Sequence, residues 1–325
     1  ESLNEMISLS NLSVGKPFSQ KKLDELLLSI ESKYSQSGFY NIVISEIISI
    51  DSQNRAGIEL NIQQGERVKI DKFRISGADM ISEDTLLKLF KIGEADMALL
   101  NLFTNKDLFT ELDFSQGIDL MTNKYFDSGY LDFEINDIKT ELNETKEKIS
   151  IEIYISEGIQ YQLGKVSFSG ETSVLTDNEL DRTISIKEGD IFNRNTIIQD
   201  IQTLTDMFAD KGYAFVDIKP NTSELLNVVN IEFDISLNKK VYINRITISG
   251  NTRTQDEVVR REIGISEGGL YSRSILRKSL LKLRRLGYFS DVQISTTEVE
   301  NMPDKIDINF SVEETQTGAV SFSVS

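Results

Sequence analysis

Carboxylate side chains are the groups of this 325-residue chain whose spacing first suggests chemistry. Pairs of Asp or Glu act as general acid and base in glycoside hydrolysis. Four candidates fall within one stretch: Asp113, Asp119, Asp127 and Asp132. They lie at predicted surface positions of a helix and a strand, and nothing in the pattern joins them in one pocket. We therefore predict that the chain is not an enzyme.

Other reactive side chains are absent from the composition. The sequence has no Cys, no His and no Trp, which excludes thiol nucleophiles, Cys or His metal centres and His-based triads. The Asp and Glu residues do not follow the spacing of a calcium-binding loop. The glycines fall at turns and helix ends and form no phosphate-binding loop. We predict no catalytic residue, no metal and no cofactor.

The net charge of −17 is confined to residues 1–240, because residues 241–325 carry equal numbers of basic and acidic side chains. An acidic surface disfavours nucleic acid, since phosphate binding needs clustered cations. No apolar run is long enough to span a bilayer as a helix, and no signal peptide is visible. The chain is therefore either cytosolic or a mature or trimmed fragment.

The strongest local charge is basic and lies in Ser272–Leu286, a predicted helix without an acidic residue. A solvated charged face is the ordinary interpretation of such a helix. Contact with an acidic partner or with anionic lipid headgroups is the alternative. The basic residues are Arg273, Arg277, Lys278, Lys282, Arg284 and Arg285.

A glycine followed by an aromatic residue recurs at intervals of about 80 residues, as expected for small tandem domains. The glycines are Gly38, Gly129, Gly212 and Gly287. Apolar residues precede the first three at the spacing of one helical face, and glycine commonly ends a helix. The helix before Gly287 departs from this pattern, because Ser272 and Ser279 take two of the four positions. We expect Ile275 and Leu280 to complete its face through a slight rotation.

The last repeat, Val241–Val312, shows the common plan most completely: strand, helix, helix, strand, strand. Its strands alternate apolar and polar residues, which implies one buried and one solvated face. The sequence therefore predicts an α+β fold of tandem β-α-α-β-β domains, each a three-stranded mixed sheet with two helices on one face. Ser82 is predicted to cap a helix. Capping boxes are predicted at Thr176–Glu179 and Thr254–Glu257.

Short linkers join the repeats, so we expect a semi-rigid, elongated rod. The first repeat lacks a first strand and keeps only a helix remnant at Leu3–Leu9, which indicates an N-terminal truncation. The second repeat carries an apolar insertion at about residues 97–109, either an extra helical turn over the core or a lip for a partner. Residues 315–325 alternate as the first strand of a further, absent domain would.

Four segments of the last repeat carry a family resemblance: Ile248–Arg253, Val259–Glu262, Leu283–Phe289 and Val312–Gly318. Together with the repeat plan they resemble the POTRA domain, and most closely the last POTRA of the BamA family of outer-membrane assembly factors. The resemblance covers essentially the whole chain. It implies a truncated second POTRA at residues 1–64, a third at 65–157, a fourth at 158–239, a fifth at 240–314, and the start of a β-barrel at 315–325.

The resemblance also implies a location and a task. POTRA domains of that family lie at the periplasmic face of the outer membrane of Gram-negative bacteria. The implied scaffold receives unfolded outer-membrane β-barrel proteins, docks accessory lipoproteins, leads into its own C-terminal barrel and binds no nucleic acid. Two alternatives stay open: a related transporter, TamA-like or of two-partner secretion, and a free-standing periplasmic scaffold.

An extended client can pair with an exposed sheet edge through backbone hydrogen bonds. We predict that the strand after Gly129 is this edge and, by resemblance, a lipoprotein site, although its apolar residues are equally typical of a core. The resemblance also implies lipoprotein docking at Arg260 and Glu267 and places the basic helix near the membrane. The predicted edge residues are Tyr130, Leu131, Asp132, Phe133, Glu134 and Ile135.

Overall fold

A computed structural model describes residues 17–53, 55–93 and 106–315 of the chain. The chain divides into two compact units, Glu1–Gln160 and Tyr161–Ser325. The predicted helix remnant at Leu3–Leu9, most of the insertion at 97–109 and nearly all of the strand at 315–325 lie outside the described residues. Within the described ranges, no helix is long and apolar enough to cross a membrane.

The first unit contains two repeats. The described part of the first repeat comprises helix α1 (Gln20–Gln36) and strands β1 (Val43–Ile50) and β2 (Ala56–Gln63). The second repeat comprises β3 (Lys69–Ser76), α2 (Glu83–Leu87), α3 (Glu111–Asp127), β4 (Glu134–Leu142) and β5 (Lys148–Ser156). The second repeat therefore has the predicted order of elements.

The second unit contains the third and fourth repeats. The third comprises β6 (Gln162–Gly170), α4 (Asp177–Thr183), α5 (Arg194–Asp210), β7 (Asp217–Leu225) and β8 (Val228–Ser236). The fourth comprises β9 (Tyr242–Ser249), α6 (Asp256–Glu262), α7 (Arg273–Arg285), β10 (Phe289–Val299) and β11 (Met302–Glu314). Both follow the same plan as the second repeat.

Each complete repeat builds one mixed sheet of three strands, as predicted. The strand orders are β3-β5-β4, β6-β8-β7 and β10-β11-β9. In each complete repeat, the last strand is central. It pairs parallel with the first strand and antiparallel with the second strand. In the first repeat, β1 and β2 form an antiparallel pair. Every complete sheet therefore has two edges, made by its first and its second strand.

The apolar alternation of the central strands places their buried face against the helices. Ile149, Ile151, Ile153 and Ile155 of β5 are all at most 6% exposed. The second helix lays its stripe on that face, with Met121 and Tyr125 of α3 fully buried, and Leu204 and Phe208 of α5 likewise. Burial of each such side chain contributes about 1.5–3 kcal/mol to folding. The opposite face and the sheet edges are left for other contacts.

Helix α7 corrects one expectation about its buried face. Ser272 and Ser279 are buried beside Leu276 and Leu283, whereas Ile275 is 38% exposed. Ser279 pays no penalty for burial, because its hydroxyl donates to the Ile275 carbonyl at 2.8 Å and accepts from an N–H in the preceding loop. Ile275 therefore does not complete the buried face as predicted, whereas Leu280 is partly buried against the core.

Two of the three predicted helix caps are confirmed. Ser82 accepts from the Thr85 N–H at the start of α2, and Thr176 forms a capping box with Glu179 at the start of α4. The box predicted at Thr254 is wrong. Gln255 is the N-cap of α6 and makes no side-chain cap, because the preceding turn is held by a glutamate from β11 instead.

A glutamate at the end of the central strand accepts hydrogen bonds from the turn that follows the first strand. In the second repeat, Glu157 accepts from the N–H groups of Asp79, Met80 and Ile81 at 2.9, 2.8 and 3.1 Å. It also accepts from the Tyr125 hydroxyl at 2.8 Å. Burial alone would raise the pKa of Glu157, but these hydrogen bonds outweigh burial and lower it.

Glu314 makes the equivalent contact in the fourth repeat. It accepts from the Thr252 hydroxyl at 2.8 Å and from the N–H groups of Arg253 and Thr254 at 3.0 and 2.6 Å. Hydrogen bonds from Thr252 and Thr254 lower the pKa of Glu314 to about 2. The carboxylate therefore ties the end of β11 to the loop after β9 while it is ionised.

Acidification is expected to release the Glu314 contact. Its folded pKa, about 2, lies below the ordinary value of 4.5, so the contact stabilises the fold above pH 4.5 and is lost as the pH falls toward 2. Glu314→Gln should weaken this pH dependence and speed hydrogen exchange at the Arg253 and Thr254 amides near neutral pH. Thermal unfolding and amide exchange across this pH range provide the test. Parallel profiles for the variant and the wild type would contradict the assignment.

Candidate functional site

The predicted client edge is only partly a strand. Glu134 and Ile135 belong to β4, but the four residues before them lie in the turn after α3, so their assignment to a strand is wrong. The backbone folds back on the helix end, because the N–H at position 130 donates to the Tyr125 carbonyl at 3.0 Å. The residues in this turn are Tyr130, Leu131, Asp132 and Phe133.

Tyr130 and Phe133 are core residues. The ring of Phe133 stacks on Tyr125 with centroids 4.1 Å apart and an interplanar angle of 9°. The ring of Tyr130 meets Tyr125 edge-on at 5.8 Å. Both side chains are less than a tenth exposed. They anchor the start of β4 and leave its backbone as the accessible part of this edge.

Strand β4 lies at the open side of its sheet, because only β5 pairs with it. A bulge at Asn136 precedes a regular run from Asp137 to Leu142. The Asp137 carboxylate accepts from the Ile138 N–H at 2.9 Å. Ile138, and by alternation Thr140 and Leu142, therefore direct their backbone groups away from β5. The side chains of this run are exposed, so an extended chain can approach it.

The first-strand edges are partly covered. In every complete repeat, the loop before the second helix bonds to the start of the first strand, so a client cannot reach the backbone there. In each case a strand N–H donates to a loop carbonyl. The Ile70 N–H donates to Asp107 at 2.8 Å, the Leu163 N–H to Asp190 at 2.8 Å, and the Ile243 N–H to Gly269 at 2.9 Å.

The two remaining edges, β7 and β10, carry features that hinder pairing. Pro220 lies within β7 and has no N–H to donate. On β10, the Val292 N–H donates to the Asp291 carboxylate at 2.8 Å, as the Ile138 N–H does to Asp137 on β4. The Val292 carbonyl in addition accepts from Arg284 Nη2 at 3.0 Å, and within the described residues β4 has no such contact. On α3, Phe126 stands where Arg284 stands on α7. Among the three second-strand edges, β4 is therefore the most open.

The predicted docking residues Arg260 and Glu267 are brought together at one backbone position. Glu267 Oε1 accepts from the Ile246 N–H at 2.8 Å, and Arg260 Nη2 donates to the Ile246 carbonyl at 3.1 Å. Both side chains reach solvent. They are therefore accessible to a partner, and they also satisfy the outward backbone groups of β9.

The basic helix is not a uniform solvated face. Arg273 and Arg277 of α7 both pair with Asp206 of α5, at 3.3 and 3.1 Å, and Arg284 is held at the β10 backbone. The other cations form no ion pair within the described residues. Of these, Lys278 lies near enough to Asp210 for its charge to help lower the pKa of that carboxyl. The free part of the predicted basic surface is therefore Lys282 and Arg285.

Sequence reasoning missed the acidic partner of this helix, which lies in the third repeat. Asp210 accepts from the Ser272 hydroxyl at 2.8 Å and from the Ser274 N–H at 2.9 Å. Burial would raise the pKa of Asp210, but these hydrogen bonds outweigh it and lower the pKa. Two acidic residues one turn apart on a helix usually face water, so no sequence signal marks Asp206 and Asp210.

The carboxylates considered for catalysis are not assembled into a site. Asp113 and Asp119 lie along α3, Asp127 ends it, and Asp132 lies in the turn that follows. Asp113 accepts from the Thr110 hydroxyl at 2.7 Å in the first turn of the helix. Across the part of the chain that the structure describes, no group of three or more His, Cys, Asp or Glu side chains could hold a metal ion.

The repeats match one family along nearly the whole chain. The POTRA model, described as surface antigen variable number repeat, matches residues 2–65, 68–158, 161–237 and 241–315. The chain belongs to the POTRA family. The tandem POTRA organisation predicted from the sequence is confirmed.

Curated relatives of the chain include outer membrane protein assembly factors named BamA. The chain is 30% identical to the one from Neisseria meningitidis over 308 residues, which is 94% of this chain and 38% of that protein. It is 28% identical to the one from Nitratidesulfovibrio vulgaris over 326 residues, 98% of this chain and 40% of that protein. The resemblance to the POTRA region of BamA is confirmed, and the chain spans about 40% of the length of these relatives.

A solved structure shows the same fold. The crystal structure of Haemophilus influenzae BamA POTRA3-5 superposes with a TM-score of 0.64 at 20% identity, covering 76% of this chain and 96% of that one. At this identity the likeness concerns the POTRA fold. The numbering of the repeats as second to fifth, and their exact boundaries, stay predictions.

The junction between the third and fourth repeats gives a test of how tightly they are joined. Gly212 has φ +97°, and a Cβ there would lie 2.5 Å from Leu270 Cδ1; Gly189 has φ +87° and open space around it. Gly189→Ala should therefore cost about 1 kcal/mol of unfolding free energy. Gly212→Ala should cost about 2–3 kcal/mol, because overpacking is added. Chemical denaturation of both variants measures the difference. Equal losses of unfolding free energy would show that Leu270 can move away from residue 212 without cost.

Proposed function

We propose that the chain is the periplasmic POTRA scaffold of an outer-membrane protein assembly factor. In this role it receives unfolded β-barrel proteins at a sheet edge and docks accessory lipoproteins beside its own membrane barrel. Membership of the POTRA family and similarity to BamA proteins along nearly the whole chain support the proposal. They favour assembly over the task of a TamA-like or two-partner-secretion transporter.

The open edge of β4 is the observation that carries the client step. Strand addition uses backbone hydrogen bonds, so it accepts many sequences, as a receptor for diverse unfolded clients must. Thr140 and Leu142 present outward N–H and carbonyl groups, and Ile138 presents its carbonyl, because its N–H donates to Asp137. Each hydrogen bond contributes about 1 kcal/mol net. The loss of translational and rotational freedom of the two chains opposes association. A short run therefore binds weakly, with a Kd on the order of millimolar, which suits transient handling.

Thr140→Pro is expected to weaken client pairing at β4. Proline removes an outward N–H but leaves the bonds to β5 intact, because position 140 faces away from that strand. In amide NMR titrations with a peptide from a barrel strand, the wild-type shifts should centre on Asp137–Leu142. The variant should bind at least about tenfold more weakly.

Thr140→Val is the matched control, since it changes the side chain and keeps the backbone donor. It should bind like the wild type. A peptide N-methylated at alternate residues should not bind, because it lacks donors along one edge. Unchanged affinity of Thr140→Pro, or an absence of shifts along β4 in the wild type, would refute the β4 assignment.

We assign the docking of an accessory lipoprotein to the fourth repeat around Arg260 and Glu267. Both side chains are exposed, and Arg260 also lies 3.7 Å from Asp256. An exposed cation and an exposed carboxylate on one surface suit a partner surface of complementary charge. Such charge complementarity contributes to the specificity of docking more than to its affinity. Because both groups are charged and exposed, we expect docking at this site to be sensitive to ionic strength.

The free cations of α7 support contact with anionic headgroups near the barrel. Lys282→Glu with Arg285→Glu should abolish sedimentation of the chain with vesicles of phosphatidylethanolamine and phosphatidylglycerol, because each cation near such a surface contributes about 1 kcal/mol. Neither side chain forms an ion pair within the described residues, so the fold should survive. Lys21→Glu with Lys22→Glu on α1 makes the same charge change elsewhere and should leave binding unchanged. Equal loss in both variants would indicate a net-charge effect only.

A further inference from the structure

The first strands of the third and fourth repeats differ beyond the point where the loop covers them. In both repeats, one residue bonds to the loop through both its N–H and its carbonyl: Leu163 in β6 and Ile243 in β9. A bulge follows each of them. Val166 in β6 and Ile246 in β9 then occupy the same position after the bulge. Since a strand residue directs both backbone groups to one side, these two residues face outward from their sheets.

In the fourth repeat, this position is closed by side chains. Glu267 and Arg260 take the N–H and the carbonyl of Ile246, as a neighbouring strand would. Ile246 is only 4% exposed. We call the two side chains the β9 latch. Together with the loop at Gly268–Tyr271, the latch occupies the edge of β9 from Val241 to Ile246.

In the third repeat, the latch is missing. Asp181 takes the place of Arg260, as the fifth residue of the first helix, and Glu188 takes the place of Glu267, directly before the loop glycine. Two carboxylates cannot satisfy a backbone carbonyl. Neither of them is bonded to Val166 within the described residues, and Lys187 Nζ donates to the backbone carbonyl of Asp181 rather than to its carboxylate.

The open edge of β6 has a distinctive chemistry. Val166 and Phe168 both face outward, and both side chains are only half-buried, although Phe168 also stacks on the core residue Phe233 at 5.7 Å. Asp181 and Glu188 are exposed, without an ion pair in the described part of the chain. The edge therefore combines unpaired backbone groups, two accessible apolar side chains and a local negative charge.

We propose that the β6 edge, from Val166 to Ser169, is a second strand-addition site, which takes an extended polypeptide with alternating apolar side chains and a flanking Lys or Arg. The occupant runs antiparallel to β6, because it continues the antiparallel bridge that the loop already makes between Gln162 and Ile191. The apolar alternation matches Val166 and Phe168, and the basic residue matches Asp181 and Glu188. The β9 latch excludes the same segment from the fourth repeat.

This inference rests on the proposed client function, and the repeats supply a reciprocal test. Asp181→Arg installs the latch pair in the third repeat, where the new guanidinium can reach the Val166 carbonyl and Glu188 the Val166 N–H. Arg260→Asp removes the latch from the fourth. Both positions are exposed on short helices, so neither substitution disturbs a core. Asp181→Asn is the matched control, because it removes the charge without adding a donor that reaches the edge.

The probe is a short peptide of alternating valine and threonine with lysine at both ends, followed by amide NMR. Wild-type shifts should appear at Val166–Ser169 as well as along β4. Asp181→Arg should weaken binding at β6 at least about tenfold, and Asp181→Asn only severalfold. Arg260→Asp should produce new shifts at Ile246–Ser249. The peptide with glutamate at both ends should bind β6 more weakly than the lysine peptide and bind β4 similarly.

The outcomes separate the two proposals. Shifts along β4 without shifts at Val166–Ser169 would overturn the β6 site and leave the client function standing. Equal affinity of Asp181→Arg and the wild type would also overturn it. An absence of amide shifts along both β4 and β6 would refute the proposed function itself. Shifts at Ile246–Ser249 in the wild type would show that the β9 latch does not close its edge.

Discussion

The carboxylate of Glu157 sets the geometry on which the second repeat depends. It accepts hydrogen bonds from three consecutive N–H groups of the turn after β3 and from the hydroxyl of Tyr125 in α3. One side chain thus fixes the end of the central strand, the exit of the first strand and the second helix together. Buried hydrogen bonds to a charged group are among the stronger ones, at about 1.5–3 kcal/mol each. Because Tyr125 also stacks on Phe133, the same contact determines where β4 begins.

The central position of the last strand leaves every complete sheet of these repeats with two edges. Both neighbours of the central strand have an outer side, so each sheet exposes two rows of backbone groups that must be protected or used. The first-strand edge is protected at its start by the loop before the second helix, in all three complete repeats. The second-strand edge has no such loop, and its protection is left to individual residues such as Pro220 in β7.

The sequence predicted what local spacing determines and missed what depends on tertiary contacts. The apolar stripe before Gly129 and the alternation of Ile149–Ile155 identified α3 and β5, and burial confirmed both. Tyr130 and Phe133 alternate like strand residues, yet they are buried in a turn against Tyr125, and sequence alternation cannot separate these cases. The burial of Ser279 was missed for a similar reason, since the Gly264 N–H that donates to its hydroxyl lies outside its own helix and is positioned only by the fold.

The means of closing an edge differ in whether they can be reversed. Pro220 removes a donor from β7 permanently, because no contact can restore an N–H to proline. The Arg260 and Glu267 side chains close β9 through hydrogen bonds of 2.8–3.1 Å that exist only while both stay at Ile246. A charged partner that draws either side chain to itself must uncover that backbone. The proposed docking on the fourth repeat would therefore open the β9 edge, because it removes the side chains that exclude an added strand. Asp181 and Glu188 do not cover Val166, so the third repeat has no such coupling.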